Sequence, residues 1–251
     1  MTNDEAPAFL QLLCEAFDLD FERAKGVFFR EPMFDLDRKW AYFRKGRIES
    51  ILTTVPLTFG WGKAIGIAGV ATRLSSRGQG FAAELLREVL RSSDKDAEGP
   101  ALLFAKQTEV YERVGFRVVD RVIRAPIDRA EEKQMEHILS FEQVESIYNH
   151  WASEDPYRLR RDERRWDYWK WNLRVCCPFT NGYVCIEGTV IRECILDSWV
   201  PVWPVHGASE WFGLESMANR LHIPIRDSQF ELHLMSYGFD EVPQMFLTDQ
   251  F

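Results

Sequence analysis

The sequence predicts an α/β (α+β) fold in which a central sheet is flanked by helices. Three observations support this fold class. Apolar residues recur at helical spacing over residues 7–18. Alternating stretches at 40–44 and 48–54 are typical of a hairpin around a glycine-containing turn. An apolar strand over 64–71 then breaks into a glycine loop and restarts as an amphipathic helix over 81–91.

The remaining elements of the first half follow the same patterns. Residues 20–29 favour a second helix, although Gly26 weakens it. Further strands are predicted over 55–61, 101–105 and 118–123. The helix over 81–91 should turn one apolar side toward the sheet, formed by Leu85, Leu86, Val89 and Leu90.

The second half repeats this order of elements. Charged residues follow Ala125 and mark a change in composition. Helices are predicted over 138–151, 158–171 and 209–221, and strands over 182–186, 189–195, 231–237 and 244–247. The glycine loop of the first half does not recur. We therefore predict two domains, 1–127 and 128–251, of which the second is a degenerate copy of the first.

Composition limits the classes of partner. The chain has 251 residues, 46% of them hydrophobic and 28% charged, with a formal net charge of −8. An acidic protein is a poor ligand for nucleic acid or an anionic membrane, and it mildly favours cationic small molecules such as amines. The start of the sequence lacks the pattern of a signal peptide, so we expect a cytoplasmic protein. The five cysteines lack metal-site spacing, so no metal is expected.

The loop over residues 77–82 is a candidate phosphate-binding site. It reads Arg77-Gly78-Gln79-Gly80-Phe81-Ala82, which is R-x-x-G-x-A, between a strand and a helix. The first backbone N–H groups of a helix have no partner within the helix and suit an anion. Arg77 adds a positive charge. The loop lacks the lysine and hydroxyl of a P-loop and the spacing of a dinucleotide fingerprint, so ATP and NAD are poor candidates.

The elements that follow this loop resemble a known family. Strand, R-x-x-G-x-A loop, helix, strand, a short helix with Tyr-Glu-Arg-Val-Gly-Phe at 111–116, and strand form an order that resembles the acyl-CoA-binding core of the GCN5-related N-acetyltransferases (GNAT). The stretches PLTFGWGKAIGIAGVA, LLFAKQTEVYERVGFR and DPYRLRRDERRWDYW are similar to the tandem-domain branch typified by the enhanced intracellular survival (Eis) aminoglycoside acetyltransferases. That branch also carries a sterol-carrier-like domain, which we expect to be missing here.

The resemblance implies a fold and an activity. The fold would be a mixed, mostly antiparallel sheet flanked by helices, present as two tandem copies with the second degenerate. Acetyl-CoA would be the co-substrate, with its pantetheine arm bound to the backbone near Val70, Ala71 and Thr72 and its pyrophosphate on the 77–82 loop. The acetyl group would pass directly to a primary amine of a small molecule or peptide.

The resemblance also implies catalytic residues. Tyr111 would return a proton to the leaving thiolate, because the family keeps its general acid at this place. The alternative is that Tyr111 is a packing aromatic paired with Phe116. In the tandem relatives the chain's own C-terminal carboxylate can enter the site, so Phe251 is a second candidate catalytic residue.

The general base cannot be read from the sequence. The nearby acidic candidates are Glu109, Glu112, Asp18 and Asp20. Lys106 and Gln107 stand where the tandem relatives commonly have serine and glutamate, so the acceptor contacts of the family cannot be carried over. The acceptor and the oligomeric state therefore stay open, with a homo-oligomer among the alternatives.

Two further patterns have a functional and a structural interpretation. The stretch over 158–171 is rich in arginine and tryptophan, as in a platform for single-stranded nucleic acid. We favour an amphipathic helix whose tryptophans face inward and whose arginines meet carboxylates or solvent. The Cys176-Cys177-Pro178 segment is predicted as a turn rather than a nucleophile site. A non-catalytic acyl-CoA-binding or partner-binding module that retains the fold is the alternative to an enzyme.

Overall fold

The computed structural model describes residues 1–127, 130–131, 138–172, 174–179, 182–196, 203–204 and 208–251. The helices are α1 (Ala6–Phe17), α2 (Phe21–Phe28), α3 (Phe81–Lys95), α4 (Glu109–Glu112), α5 (Phe141–Ser153), α6 (Glu163–Trp171) and α7 (Glu215–Arg220). The strands are β1 (Lys39–Arg44), β2 (Arg47–Phe59), β3 (Gly62–Thr72), β4 (Ala101–Ala105), β5 (Arg117–Pro126), β6 (Ala130–Glu131), β7 (Leu159–Arg160), β8 (Val175–Phe179), β9 (Gly182–Glu187), β10 (Val190–Ile195), β11 (Trp203–Pro204), β12 (Glu210–Leu214) and β13 (Gln229–Tyr237).

One large sheet organises the fold. Its strand order is β1-β2-β3-β4-β13-β5-β12-β10-β9-β8, and β7 also pairs with β2. The pairs β3–β4 and β10–β12 are parallel, whereas the other described pairs of this sheet are antiparallel. Strands β6 and β11 form a separate parallel pair. The predicted fold class, a mixed and mostly antiparallel sheet flanked by helices, is confirmed.

Strand β13 connects the two halves of the chain. It lies between β4 and β5 and pairs antiparallel with both, with His233 opposite Ala105 and Arg121. The sheet of the first half therefore contains a strand from the second half. The predicted boundary between 1–127 and 128–251 falls at residues 128–129, which lie outside the described residues, and this division stays a prediction.

Strand β2 is one element where the sequence suggested two. The predicted strands 48–54 and 55–61 are continuous, from Arg47 to Phe59. Pro56 does not interrupt the strand, because β1 pairs with β2 only as far as Thr53 and β7 pairs with it only at Thr58 and Phe59. Among the described strands, none pairs with Pro56 on that side. The Pro56 carbonyl instead accepts a hydrogen bond from Arg165 Nη2 at 2.9 Å.

The predicted helix over 209–221 is wrong in its first half. Residues Glu210–Leu214 form β12, which pairs antiparallel with β5, and only Glu215–Arg220 are helical. This pairing buries Trp211 fully in the core. Tertiary packing, rather than local preference, therefore decides that these residues form a strand.

Two shorter predictions are also corrected. Cys176, Cys177 and Pro178 lie inside β8 rather than in a turn. Because β8 ends the sheet, its proline needs no ladder hydrogen bond on the outer side. The predicted strand 244–247 reduces to a single bridge at Gln244 followed by a 3-10 turn over Leu247–Asp249.

Helix α3 packs on the sheet as predicted. Its apolar face consists of Leu85, Leu86, Val89 and Leu90, which are buried in one cluster with residues of β2, β3, β4 and β13. The predicted helix over 158–171 begins only at Glu163, because Leu159 and Arg160 form β7. Helix α6 buries Trp166 and Trp169, as the inward-facing interpretation of the arginine–tryptophan stretch requires. Arg161 and Arg165 are buried as well. None of the helices in the described parts of the chain is long and apolar enough to cross a membrane.

Candidate active site

A cleft of about 820 Å³ opens where β3 and β4 separate. The two strands pair in parallel as far as Ile67 and Leu103, although β3 continues to Thr72 and β4 to Ala105. The cleft is lined by Ala16, Phe17, Ile67, Ala68, Gly69, Val70, Ala71, Thr72, Ser76, Arg77, Gly78, Gly80, Phe81, Ala82, Ala83, Phe104, Ala105, Lys106, Gln107, Glu109, Val110, Tyr111, Arg113, Leu232, Gln250 and Phe251. Every predicted site residue except Gln79 is in this set.

A bulge in β3 shapes the wall of the cleft. Between the pairs Thr53–Ala68 and Ile51–Ala71, β3 has two residues where β2 has one. One of the two is Gly69, with φ +58°, a conformation that a side chain would strain. Bulges redirect the backbone and often lie beside active sites. This one borders Val70, Ala71 and Thr72, the residues predicted to bind the pantetheine arm.

The N-terminus of α3 provides donors at the other end of the cleft. Gly80 is its N-cap residue, with φ +87° and no side-chain cap. The backbone N–H of Glu84 donates to the Gly80 carbonyl, so the N–H groups of Phe81, Ala82 and Ala83 have no acceptor within the helix. A Cβ at Gly80 would meet no atom within 4 Å, so the space above the helix end is open. Such an end binds anions.

A buried carboxylate that the sequence does not reveal fixes the loop before α3. Ser76 Oγ donates to Glu49 Oε2 at 2.7 Å, and the N–H of Arg73 donates to the Glu49 carbonyl at 2.9 Å. The Ser76 hydrogen bond and, after it, the Arg47 guanidinium hold the pKa of Glu49 below its usual range. Glu49 thus couples the loop to β2 across 27 positions, a separation that no local pattern would reveal.

Phe81 and Gln79 attach the loop to β1. The Phe81 ring is stacked on Tyr42, with centroids 4.7 Å apart. Arg44 lies 5.5 Å from the centroid of the Phe81 ring and donates to Gln79 Oε1 at 2.8 Å. Gln79 therefore contacts Arg44 rather than lining the cleft.

Tyr111 lies at the cleft on α4. Burial raises the pKa of its phenol, so the hydroxyl stays protonated and can donate a proton. Its ring also packs edge-on against Phe116, with centroids 6.3 Å apart. The packing interpretation and the catalytic interpretation of the sequence are thus compatible in one side chain.

Phe251 lies in the same cleft as Tyr111. Its ring covers Gly66 of β3, where a Cβ would be 2.6 Å from two ring carbons, and its centroid is 5.4 Å from that of Phe104 on β4. Glycine inside a strand often marks such a close approach. Gly66 does not line the cleft itself but supports the Phe251 ring that does, and the sequence alone did not indicate this role.

The structure separates the candidate general bases. Glu109 lines the cleft together with Lys106 and Gln107, whereas Glu112, Asp18 and Asp20 are not among its lining residues. Asp20 instead caps α2 by accepting from the N–H of Arg23.

The charge of the cleft is opposite to that of the whole chain. Its described lining contains three cationic side chains, Arg77, Lys106 and Arg113, and the single carboxylate of Glu109. A positive cleft in a protein of net charge −8 attracts a polyanionic ligand. In the described parts of the chain, no group of three or more His, Cys, Asp or Glu residues could hold a metal ion.

Comparisons with known proteins agree with this geometry. Residues 1–119 match the family model described as an acetyltransferase (GNAT) domain. The structure is similar to a GCN5-related N-acetyltransferase from Kribbella flavida, at 16% identity, covering 94% of this chain and 69% of that chain with TM-score 0.72. A GCN5-related N-acetyltransferase from Anabaena variabilis gives 15% identity, coverages of 94% and 71%, and TM-score 0.66. Eis1 from Mycobacterium abscessus gives 14% identity, coverages of 93% and 71%, and TM-score 0.61.

No curated protein sequence matches the chain. At these identities the structural similarity shows the fold alone. The chain therefore has a GNAT-type fold, and a GNAT domain match covers its first 119 residues.

Proposed function

We propose that the protein is an acetyl-CoA-dependent N-acetyltransferase. The observation that carries this proposal is the cleft itself, which joins the open N-terminus of α3, the separated strands β3 and β4, and Tyr111. A non-catalytic acyl-CoA-binding module is the alternative, and it would need the first two features but not the third.

Acetyl-CoA fits the described residues. The free N–H groups of Phe81, Ala82 and Ala83, with Arg77, would bind the pyrophosphate. The glycines of the loop leave space that side chains would fill, since a Cβ at Gly78 or Gly80 would meet nothing within 4 Å. The gap between β3 and β4 offers backbone groups for an extended amide-containing arm, as a sheet edge does for a peptide.

The catalytic steps follow from the residues around the gap. Acetyl-CoA supplies an acetyl group activated as a thioester. Backbone N–H groups near the Gly69 bulge would polarise its carbonyl while a neutral amine attacks the carbonyl carbon. A C–N bond would form as the C–S bond breaks, and the Tyr111 hydroxyl would give its proton to the leaving thiolate. The proton that the attacking nitrogen loses would then return Tyr111 to its phenol form. In a chain that ends at Phe251, the terminal carboxylate would lie in the same cleft as a candidate base.

The acceptor is proposed as a primary amine of a small molecule or peptide. The tandem arrangement of residues 1–127 and 128–251, and a cytoplasmic location, remain further parts of this proposal. The structural similarity to Eis1 extends over 93% of this chain, so it covers most of both proposed domains.

A thiol-release assay with acetyl-CoA and a broad amine panel tests the proposal. Tyr111→Phe should lower kcat by about 10²-fold or more while acetyl-CoA binding persists, because only the proton donor is removed. Tyr157→Phe removes a hydroxyl outside the cleft and should behave as wild type. Binding of acetyl-CoA without turnover of any amine by the wild-type protein would favour the non-catalytic module.

A further inference from the structure

Residues 245–251 form a tail that is buried for most of its length and reaches the cleft. Residues Met245, Phe246 and Leu247 belong to the large apolar core, and Thr248 and Asp249 are each 1% exposed. Phe251 then lies on Gly66 at the cleft. The tail is therefore packed inside the protein up to Asp249, directly before Gln250 and Phe251, which line the cleft.

Arg161 binds this tail through a buried ionic cluster. Its Nε and Nη2 atoms donate to both carboxylate oxygens of Asp249, at 2.8 and 2.7 Å. Its Nη1 and Nη2 atoms donate to Glu193, at 3.2 and 2.6 Å, and Nη2 also donates to Thr248 Oγ1 at 3.0 Å. The side chains of Arg161 and Asp249 are 0% and 1% exposed.

Aromatic side chains from α5 and α6 enclose the Arg161 guanidinium. Its Cζ lies 3.7 Å from the ring centroid of Tyr148 and 4.6 Å from that of Trp166. These contacts are cation–π interactions between buried side chains. The arginine–tryptophan stretch is thus a binding site for the tail of its own chain.

The cluster is balanced in charge and rich in hydrogen bonds. Arg165 donates to the Asp249 carbonyl at 3.3 Å, and Glu193 also accepts from Trp169, Tyr183 and Thr248. Burial opposes ionisation of Glu193, yet the Arg161 guanidinium keeps the pKa of Glu193 below its usual value. The buried carboxylates of Glu193 and Asp249 therefore both accept hydrogen bonds from Arg161.

Buried ion pairs are an inefficient source of stability. Removing charges from water costs several kcal/mol per ion, and apolar side chains of the same volume are often as stabilising. In some proteins such groups select one geometry among several, as polar residues do in coiled coils. Here the cluster lies close to the cleft along the chain, since Asp249 is only two residues from Phe251.

We propose that Arg161 is a positioning residue, which through Asp249 holds the tail in register and fixes Phe251 as a wall of the acyl-transfer cleft. The effect on turnover rests on the proposed function, whereas the effect on the tail does not. Arg161 is not among the described residues that line the cleft, so in this proposal it acts through the residues of the tail.

Digestion of the 251-residue chain with a carboxypeptidase, followed by intact mass, tests the hold on the tail. Asp249→Asn keeps the shape of the side chain and removes the charge that faces Arg161. We expect release of Phe251 to be at least about 10-fold faster than in wild type. This ratio corresponds to a loss of about 1.4 kcal/mol in the free energy that keeps the tail bound. The control is Asp240→Asn, whose side chain is 87% exposed and pairs with Arg117 at the surface. It should be digested at the wild-type rate.

Kinetics test the consequence for catalysis. In Asp249→Asn, kcat should fall about 10-fold while the KM for acetyl-CoA changes little, since the α3 end of the cleft is untouched. A variant that merely destabilised the fold would lower the amount of active protein and leave the digestion of the folded fraction unchanged.

Thr248→Val and Thr248→Ser provide a milder pair in case Asp249→Asn does not fold. Valine removes the hydroxyl that joins Arg161 to Glu193, and serine restores it. Faster digestion and lower kcat with valine, rescued by serine, would support the proposal. Equal digestion of all folded variants would overturn it.

Two other outcomes separate this proposal from the proposed function. If the tail loosens but kcat is unchanged, Arg161 has no positioning role in turnover. If the wild-type protein transfers no acetyl group, the proposed function fails, and the digestion rates alone decide whether Arg161 holds the tail.

Discussion

Replacing Gly66 with alanine should slow turnover without unfolding the protein. Gly66 lies inside β3, opposite Val55 on β2 and Leu102 on β4, and its φ lies outside the left-handed region. An alanine is therefore compatible with its backbone, and alanine is more favourable than glycine in a strand by about 0.5–1 kcal/mol. The cost of the substitution falls on the Phe251 ring.

The size of the effect follows from one distance. The new Cβ would be 2.6 Å from Cγ and Cδ2 of Phe251, whereas carbon atoms pack at about 3.5–4.0 Å. The ring must therefore retreat by about 1 Å. Because Phe251 is half-buried whereas Gly66 is paired with a strand on each side, the ring moves more readily than the sheet. A displacement of about 1 Å at an active site can reduce the rate by about 10²-fold, or about 2.7 kcal/mol in the activation free energy.

The assay measures kcat by thiol release, the melting temperature, and acetyl-CoA affinity by calorimetry. We expect kcat to fall while the other two quantities stay near wild type. Gly26→Ala is the matched control, because a Cβ at this helical position would meet no atom within 4 Å. It should leave kcat unchanged and stabilise the fold by about 1 kcal/mol. A folded Gly66→Ala protein with kcat within about two-fold of wild type would refute the role of Phe251, since such a ratio is below 0.5 kcal/mol.

Three further predictions concern single side chains. Because burial raises the pKa of Tyr111, kcat should persist to about pH 10 or above, and a pH–rate profile that falls near pH 8 would contradict this donor. Arg77→Ala should raise the dissociation constant of acetyl-CoA about 10-fold, and less at high salt, through loss of one charge on a phosphate; calorimetry at two salt concentrations measures both effects. The lowered pKa of Glu49 means that its contribution to stability is complete above its unfolded pKa of about 4.3 and is lost as the pH falls through the lower folded value. Melting temperatures of Glu49→Gln should therefore vary less between about pH 5 and pH 3 than those of wild type. Parallel plots of melting temperature against pH for the two proteins would show that Glu49 does not contribute to this pH dependence.

Local patterns in the sequence were sufficient for much of the fold. The apolar spacing of Leu85 to Leu90 marked the face of α3 that is buried, and the glycines at 78 and 80 marked the loop before it. Both signals lie within a few residues of the structure that they predict. The same holds for the hairpin of β1 and β2.

Long-range contacts were beyond the reach of these patterns. The insertion of β13 between β4 and β5 depends on pairing between distant segments, and periodicity does not specify strand order. Periodicity predicts a helix over residues 210–214, whereas the structure has a strand there. That strand depends on pairing with β5, which is non-local and which no local pattern reveals. The contact of Arg161 with Asp249 spans 88 positions, so the sequence showed a basic and aromatic stretch but not its partner.

Calorimetric titration with acetyl-CoA of the wild-type protein and of Gly80→Glu tests the central claim most directly. Gly46→Glu is the control, because Gly46 has a similar positive φ of +75° and equally open surroundings but lies in the turn between β1 and β2. We predict saturable binding by wild type and Gly46→Glu, and a loss of about 100-fold or more in Gly80→Glu, where a carboxylate would face the phosphates at the N-terminus of α3. Equal affinity of folded Gly80→Glu and wild type, or no binding by wild type, would contradict the assignment of this cleft to acetyl-CoA.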